Sequence, residues 1–417
     1  MGYFIRKTTI NFVLLISHLI INASAMLLQN KQVAIIGGGP GGLTLARLLQ
    51  QQGVAVHVYE RDASPQVRPQ GSALDLHHDS GLKALAAAGL LAEFKRAYRP
   101  GADAMVVVNG QLEVLLDQHA DWVAQDFGDE GFRPEIDRGP LRDLLVASLR
   151  AGTVVWDARF TTMQPAGGGW EIHFENGTQA YADVVVAADG ANSKVRPYLT
   201  DVRPVYAGFT LLEGAVPDAA QRVPVLWQLI QGGSLTALEN GQTISFLTKG
   251  DGALNFWVWV KKPEDWLTTS GINWTDRAAV AAWFTQEFST WSPKWQDLFA
   301  NEALTVVPRP SYYLPLTPPW PSQPNLTLLG DAAHCLPPNG EGVNQAMLDA
   351  LDLAEALGSA HFETTRHAIA AYEAKMRQRM VGVEAETREL LDLMHADNNQ
   401  EAFLRIFSSN PDAAPNT

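Results

Sequence analysis

The chain has 417 residues, 46% hydrophobic and 18% charged, the composition of an ordinary globular protein long enough for two packed domains. Its formal charge of −14 excludes an extended nucleic-acid surface, which needs clustered Lys and Arg, but leaves room for a local phosphate pocket. A single cysteine, Cys335, excludes an intramolecular disulfide and a zinc site of several cysteines, and fits a reducing compartment.

Residues 1–25 differ in character from the rest of the chain. Arg6 and Lys7 precede the apolar run Phe12–Ile21, and Ala23-Ser24-Ala25 closes it. That layout is a secretory signal peptide, with a run too short for a stable membrane span. Met26 offers a second reading, in which the true start lies there and the upstream residues are a non-native extension. A cytoplasmic protein is expected in the second case and an exported one in the first. The folded part begins near Met26 in both.

Val33–Ile36 is a short apolar run of the kind that forms a buried parallel strand. It enters GGGPGG, which holds GxGxxG at Gly37, Gly39 and Gly42, and a helical pattern with Leu45, Leu48 and Leu49 on one face comes next. Val54–Tyr59 gives a second strand, ending at Glu60. This is a complete βαβ dinucleotide fingerprint with an acid roughly 20 residues beyond the glycines. Gly37 permits the tight turn, Gly39 admits a pyrophosphate, Gly42 lets helix and strand pack, and Glu60 can accept from ribose hydroxyls. NAD and the ADP half of FAD both satisfy it. His77-His78 reads as a polar loop pair.

Two later turns decide between those cofactors. Val184–Ala188 is another buried-strand run that ends in Asp189-Gly190 and continues ANSKVR. Leu326–Leu329 stops at Gly330-Asp331, and a bend rich in Pro and Gly leads to a helical pattern opening near Val343. Asp331, at a strand end, can accept from ribityl hydroxyls, while Pro338 and Gly340 let the backbone approach a flat ring. A helix N-terminus at Val343 and Asn344 would stabilise negative charge on a reduced flavin by about 0.3–2 kcal/mol. One dinucleotide fold plus a distant turn implies a single FAD held at both ends. Between these pieces, Ile244–Leu247 and Phe256–Val260 read as short strands. Beyond Thr364, Ala368, Tyr372, Met376 and Met380 recur at helical spacing, a core-packing stripe, and the tail after Asn410 looks loose.

GxGxxG with Glu60-Arg61, the DG segment and the GD segment, in that order, resemble the single-component flavoprotein monooxygenases of the para-hydroxybenzoate hydroxylase type. Within that group the chain is most similar to the tetracycline-inactivating monooxygenases. The likeness runs through VAIIGGGPGGLTLARLLQQQGVAVHVYERD, LDLH, PEIDR, WEIHFENGT, SKVR, GALNF and GDAAH, from Lys31 to about residue 360. It implies an α/β fold: a Rossmann-like FAD-binding domain with a doubly wound sheet, interleaved with a mixed-sheet substrate domain and followed by a C-terminal helix. The expected pieces are 26–98, 132–203 and 322–358 for FAD, 99–131 and 204–321 for substrate, and 359–417 as the helical segment.

The resemblance also implies roles. Glu60 and Arg61 would meet the adenosine, Asp75 and Leu76 would lie along the flavin, Arg138 would contact FAD, Asp331 would hold the ribityl chain, and Arg68 would contact an NADPH phosphate. Arg142 reads as structural and His334 as a packing residue. The implied reaction consumes NADPH and molecular oxygen and hydroxylates an aromatic or polycyclic phenol-like substrate through a C4a-hydroperoxide; no dedicated acid–base pair stands out. At the substrate side Gln228 keeps the family's polar contact. Ser234, Ser245 and Asn255 stand where the tetracycline enzymes carry an arginine, an aromatic residue and a histidine, so tetracycline does not carry over safely. The bend after His334 is one residue short, with Glu341 where a neutral Gln is common. A monomer is expected. Two alternatives remain: a flavin halogenase, since Trp257-Val258-Trp259 partly matches a WxW signature, and a non-catalytic flavin-binding protein impaired by Glu341.

Overall fold

The computed structural model describes residues 27–407 apart from 66, 68–70 and 121. The expectations for residues 1–25, Met26, Arg68 and the tail after Asn410 lie outside the described residues. Two sheets organise the chain, with strands numbered in chain order. The first is five-stranded and entirely parallel, in the order β17 (Leu326–Leu328), β11 (Val184–Ala187), β1 (Gln32–Ile36), β2 (Ala55–Tyr59), β7 (Val154–Val155). Its central runs are continuously apolar because both faces are covered: Val184 to Ala187 are all at or below 1% exposure.

Helix α1 (Pro40–Gln51) packs closely on the long helix α7 (Gly342–Gly358). Small residues permit the approach, since a Cβ on Gly41 would lie 2.9 Å from the Ala346 carbonyl. An antiparallel ribbon, β8 (Phe160–Ala166), β9 (Gly169–Phe174) and β10 (Gln179–Ala182), joins the same core through Phe160, Ile172 and Phe174. The Phe174 ring stacks on Tyr59 at 4.7 Å.

The second sheet has seven strands, in the order β16 (Thr305–Tyr313), β12 (Val205–Val216), β15 (Leu254–Val260), β14 (Gln242–Thr248), β13 (Ser234–Glu239), β4 (Met105–Asn109), β5 (Val114–Asp117). Alternation sorts its side chains. Leu212, Leu235, Ala237, Ile244, Phe246, Phe256 and Val258 form one apolar face. Trp283 and Phe284 of a helix over Arg277–Glu287, with Phe288, Trp291, Trp295 and Phe299 after it, cover that face. The other face carries Ser234, Thr236, Ser245, Asn255, Trp257 and Trp259. A two-stranded ribbon, β3 (Ala73–Asp75) against β6 (Glu135–Asp137), lies at the seam between the sheets. Arg99 sutures that seam: it donates to Thr248 O at the end of β14 (2.7 Å) and to Gly232 O in the turn before β13 (3.1 Å), and sits 3.6 Å from Asp137 of β6.

Helix α8 (Thr365–Met394) runs from one sheet to the other. The Tyr372 hydroxyl donates to Leu328 O in β17 (2.9 Å), and Thr243 of β14 donates to Met394 O at the far end (2.8 Å).

Candidate flavin site

Parallel order puts the three motif-bearing turns side by side, because β17, β11 and β1 are adjacent and all run the same way. Gly37 leaves β1, Ala188-Asp189 leaves β11 and Gly330-Asp331 leaves β17, all at the carboxyl edge where such sheets bind ligands. The turns also touch. Gly37 has φ +112°, and a Cβ there would lie 2.3 Å from the Ala188 carbonyl oxygen; one on Gly42 would lie 2.2 Å from the Gly37 oxygen. Gly39 is the opposite case, with no atom within 4 Å of a built Cβ. The backbone there is open to a bulky anion at the start of α1, as a pyrophosphate requires. Glu60 is buried; its carboxylate accepts from Gly38 N (2.7 Å) and Asp62 N (2.9 Å), so it shapes the glycine turn itself. Arg61 is exposed beside it. Arg142 is structural as expected, pairing with Asp62 at 2.9 Å.

Asp189 closes its own turn by accepting from Lys194 N (2.8 Å) through Oδ2, while its buried Oδ1 has no protein partner. Burial raises its carboxyl above the usual range, against bonds from Ser193 and the Lys194 N–H. Arg196, to which sequence reading gave no role, ties this turn to the third: it donates to Ala332 O (2.8 Å), Asp331 O (3.1 Å) and Ala191 O (2.7 Å). Only its place in the ANSKVR run pointed to it.

The third turn departs from expectation. Asp331 is not the end of a strand followed by a bend; Asp331–His334 forms a single helical turn, α6, directly after Gly330. Its side chain is exposed in the recess, yet surrounding protein raises its carboxyl, with His334, Arg138 and Arg196 pulling the other way. His334 is buried and pairs through Nε2 with Asp349 Oδ2 (2.6 Å), which also accepts from Gly330 N (2.8 Å). Arg379 of α8 pairs with Asp349 and donates to Gln345 (2.8 Å), and Gln345 donates to Glu341 (3.2 Å). One charged network thus anchors both ends of the 331–341 segment. Cys335 is buried, its thiol pushed up to about 12 by burial, with Asp331 adding to the shift.

The Asp75 strand faces that segment. A Cβ on Gly340 would lie 3.7 Å from Asp75 Oδ1, and one on Gly342 3.9 Å from Asp331 Oδ1. Pro338 is exposed nearby. Val343 is buried, and so is Asn344, whose amide accepts from His77 N (2.9 Å) and donates to Asp75 O (3.0 Å). Leu76 is fully buried, its side chain in the core and its N–H donating to Pro134 O (3.1 Å). Arg138 begins the helix Arg138–Ala147 and reaches Gly71.

At the second sheet, register aligns Ser234, Leu247 and Asn255 in one row across β13, β14 and β15. Thr236, Ser245 and Trp257 form the next. The room left by Ser245 is partly taken by Trp259, whose indole donates to its hydroxyl (3.2 Å) and stacks on Phe209 at 5.6 Å. The Trp-Val-Trp alternation is therefore accounted for by strand packing. Gln228 does not join these rows. It sits on a helix over Pro224–Ile230 whose Leu226 and Ile230 bury in the opposite, aromatic face, leaving Gln228 exposed.

These residues fit FAD: an open glycine turn for the pyrophosphate, an accessible Asp331 for the ribityl chain, and a helix start beside Gly340. Comparisons with known proteins agree. Residues 30–203 and 320–387, more than half of the chain, match the FAD binding domain family. The 3-amino-4-hydroxybenzoate 2-monooxygenase PtmB3 of Streptomyces platensis is 29% identical over 382 residues, spanning 90% of this chain and 91% of its own. Among solved structures, Klebsiella pneumoniae HpxO complexed with FAD and uric acid superposes with a TM-score of 0.72 at 23% identity, covering 92% of this chain and 94% of its own. The tetracycline destructase Tet(51) reaches 0.66 at 16% identity, covering 89% and 93%, a likeness of fold alone. The chain belongs to the FAD binding domain family and is an FAD-dependent monooxygenase built on the para-hydroxybenzoate hydroxylase fold.

Proposed function

We propose that the protein uses NAD(P)H and molecular oxygen to hydroxylate an electron-rich aromatic or polycyclic phenol-like compound held between the flavin and the second sheet. The observation that carries this is the pair of rows on that sheet, Ser234–Leu247–Asn255 and Thr236–Ser245–Trp257. They offer an indole surface for stacking and neutral hydrogen-bonding groups. The one nearby cation on β16, Arg309, is paired with Glu213. Such a surface suits a flat, uncharged ring system better than an anionic one.

Bound FAD supplies the oxygen activation, and the chain positions and shields it. Gly39 would admit the pyrophosphate, Asp331 would accept from the ribityl hydroxyls, and Arg138 and Asp75 would hold the flavin end. The first N–H groups of α7 have no partner within the helix and would stabilise negative charge on a reduced flavin bound there. The test is a screen of oxygen- and substrate-dependent NAD(P)H consumption over phenols, fused heteroaromatics and tetracyclines, with product masses. A gain of one oxygen atom in a phenolic substrate is expected. Chloride incorporation would replace this reading by a halogenase, and a flavin that stays yellow under anaerobic NADPH would replace it by a non-catalytic flavin protein.

A further inference from the structure

Glu341 is not a bare carboxylate beside the cofactor. The His77 ring lies between two acids, with Nε2 2.8 Å from Asp75 Oδ2 and Nδ1 3.3 Å from Glu341 Oε1. The carboxylates address opposite nitrogens of one ring. A metal ion could not bridge all three groups from there, whereas a doubly protonated imidazolium satisfies both. His77 is itself buried, and its backbone is latched by Asn344. Asp75 comes from the β3 ribbon, with Glu135 opposite it on β6, and Glu341 comes from the turn that ends at α7. Arg133, before β6, adds a weaker favourable charge for Glu341.

We propose that His77 is a positioning residue: as imidazolium it ties the flavin-facing turn Pro338–Glu341 to the Asp75 strand and cancels the carboxylate charge there. Loss of its proton then loosens the turn and makes bound flavin harder to reduce. The inference rests only on FAD lying between these elements, not on which substrate is hydroxylated. Two features support the charged form. Burial alone would disfavour charge on His77, but hydrogen bonds and charge from Asp75 and Glu341 push it up to about 9. Glu341 lies below its usual range although burial opposes this, mainly through its bond to His77. A carboxylate stripped of its counter-charge would repel the electrons that reduction adds to the ring.

The test compares the FAD-loaded wild type with His77→Gln, Glu341→Gln, the double variant and His77→Lys. Flavin midpoint potential and FAD release rate are read from pH 6 to 10, without substrate. Wild type is expected to show an inflection near pH 9 in both quantities. At pH 7 His77→Gln should have a more negative potential and release FAD about tenfold faster, the loss of one charge-assisted hydrogen bond. Glu341→Gln should move the inflection to lower pH, with Asp75 alone still holding the His77 proton. The double variant and His77→Lys should both recover the wild-type potential. If His77→Gln keeps the wild-type potential and release rate, the proposal is overturned. Should that variant not fold, an inflection that persists unchanged in Glu341→Gln overturns it equally. Neither result bears on hydroxylation.

Discussion

Asn344 commits its amide to holding the Asp75–Gly81 segment, accepting from His77 N and Gly81 N (3.3 Å) and donating to Asp75 O. Replacing it by Ala leaves buried backbone groups without partners. Asn344→Ala is therefore expected to lower stability by about 1–3 kcal/mol in chemical denaturation of the flavin-free protein and to weaken FAD retention. Asp331→Ala removes an accepting carboxylate without touching the core, so its effect should fall on affinity: roughly 10- to 150-fold weaker FAD binding at nearly unchanged stability. An Asp331→Ala protein that keeps full FAD affinity would remove that residue from the site. His77 also makes stability depend on pH. Its folded pKa, about 9, exceeds the ordinary 6.5, so the stabilisation is fully present below the latter and is lost as pH rises through 9. A fall in melting temperature across that range, absent from His77→Gln, is the expected signature. At this scale the sequence showed which positions matter but not what they touch. Asn344 and Glu341 stood out by their place at a helix start, yet their partners His77 and Asp75 lie more than 260 residues away in the chain. No local pattern encodes such a pairing.

Elements were more legible. The βαβ unit, the strand at Val184 and the helix after Gly342 follow from apolar runs broken by glycine, and each formed within a residue or two of its expected place. The Ala368, Tyr372, Met376 and Met380 stripe is core, as its spacing indicated, with no residue above 1% exposure. What that stripe did not reveal is Glu373, buried on the same helix. It accepts from Trp320 (3.0 Å), Ser322 and Thr327 (2.8 Å), tying α8 to β17 and the segment before it. Glu373→Ala leaves those donors unpaired and a void behind them, and should cost about 3 kcal/mol or more in denaturant unfolding. The second sheet shows the limit from the other side: alternation gives a strand's two faces, but only register places Ser234 beside Leu247 and Asn255. A long cation there would reach over a row that now holds neutral groups. Ser234→Arg is expected to tighten tetracycline binding, by roughly 10- to 150-fold if the guanidinium finds the ligand's ionised edge, with FAD content unchanged. Equilibrium titration of both proteins checks this, and micromolar tetracycline affinity in the unmodified protein would defeat the argument.

The whole molecule depends on a strand order that runs against chain order. β17, made last, pairs with β11 and so completes the edge that begins at β1. Gly37, Asp189 and Asp331 are far apart along the chain but belong to neighbouring strands. Arg196 fastens the second turn to the third. That closure has a consequence for biosynthesis. While the ribosome is still making the middle of the protein, the glycine turn can already form, but it has neither Asp331 nor the helix α7 that packs on α1. Cofactor capture is thus deferred until release of a nearly finished chain, and nascent fragments ending before Leu326 should emerge colourless however much FAD surrounds them.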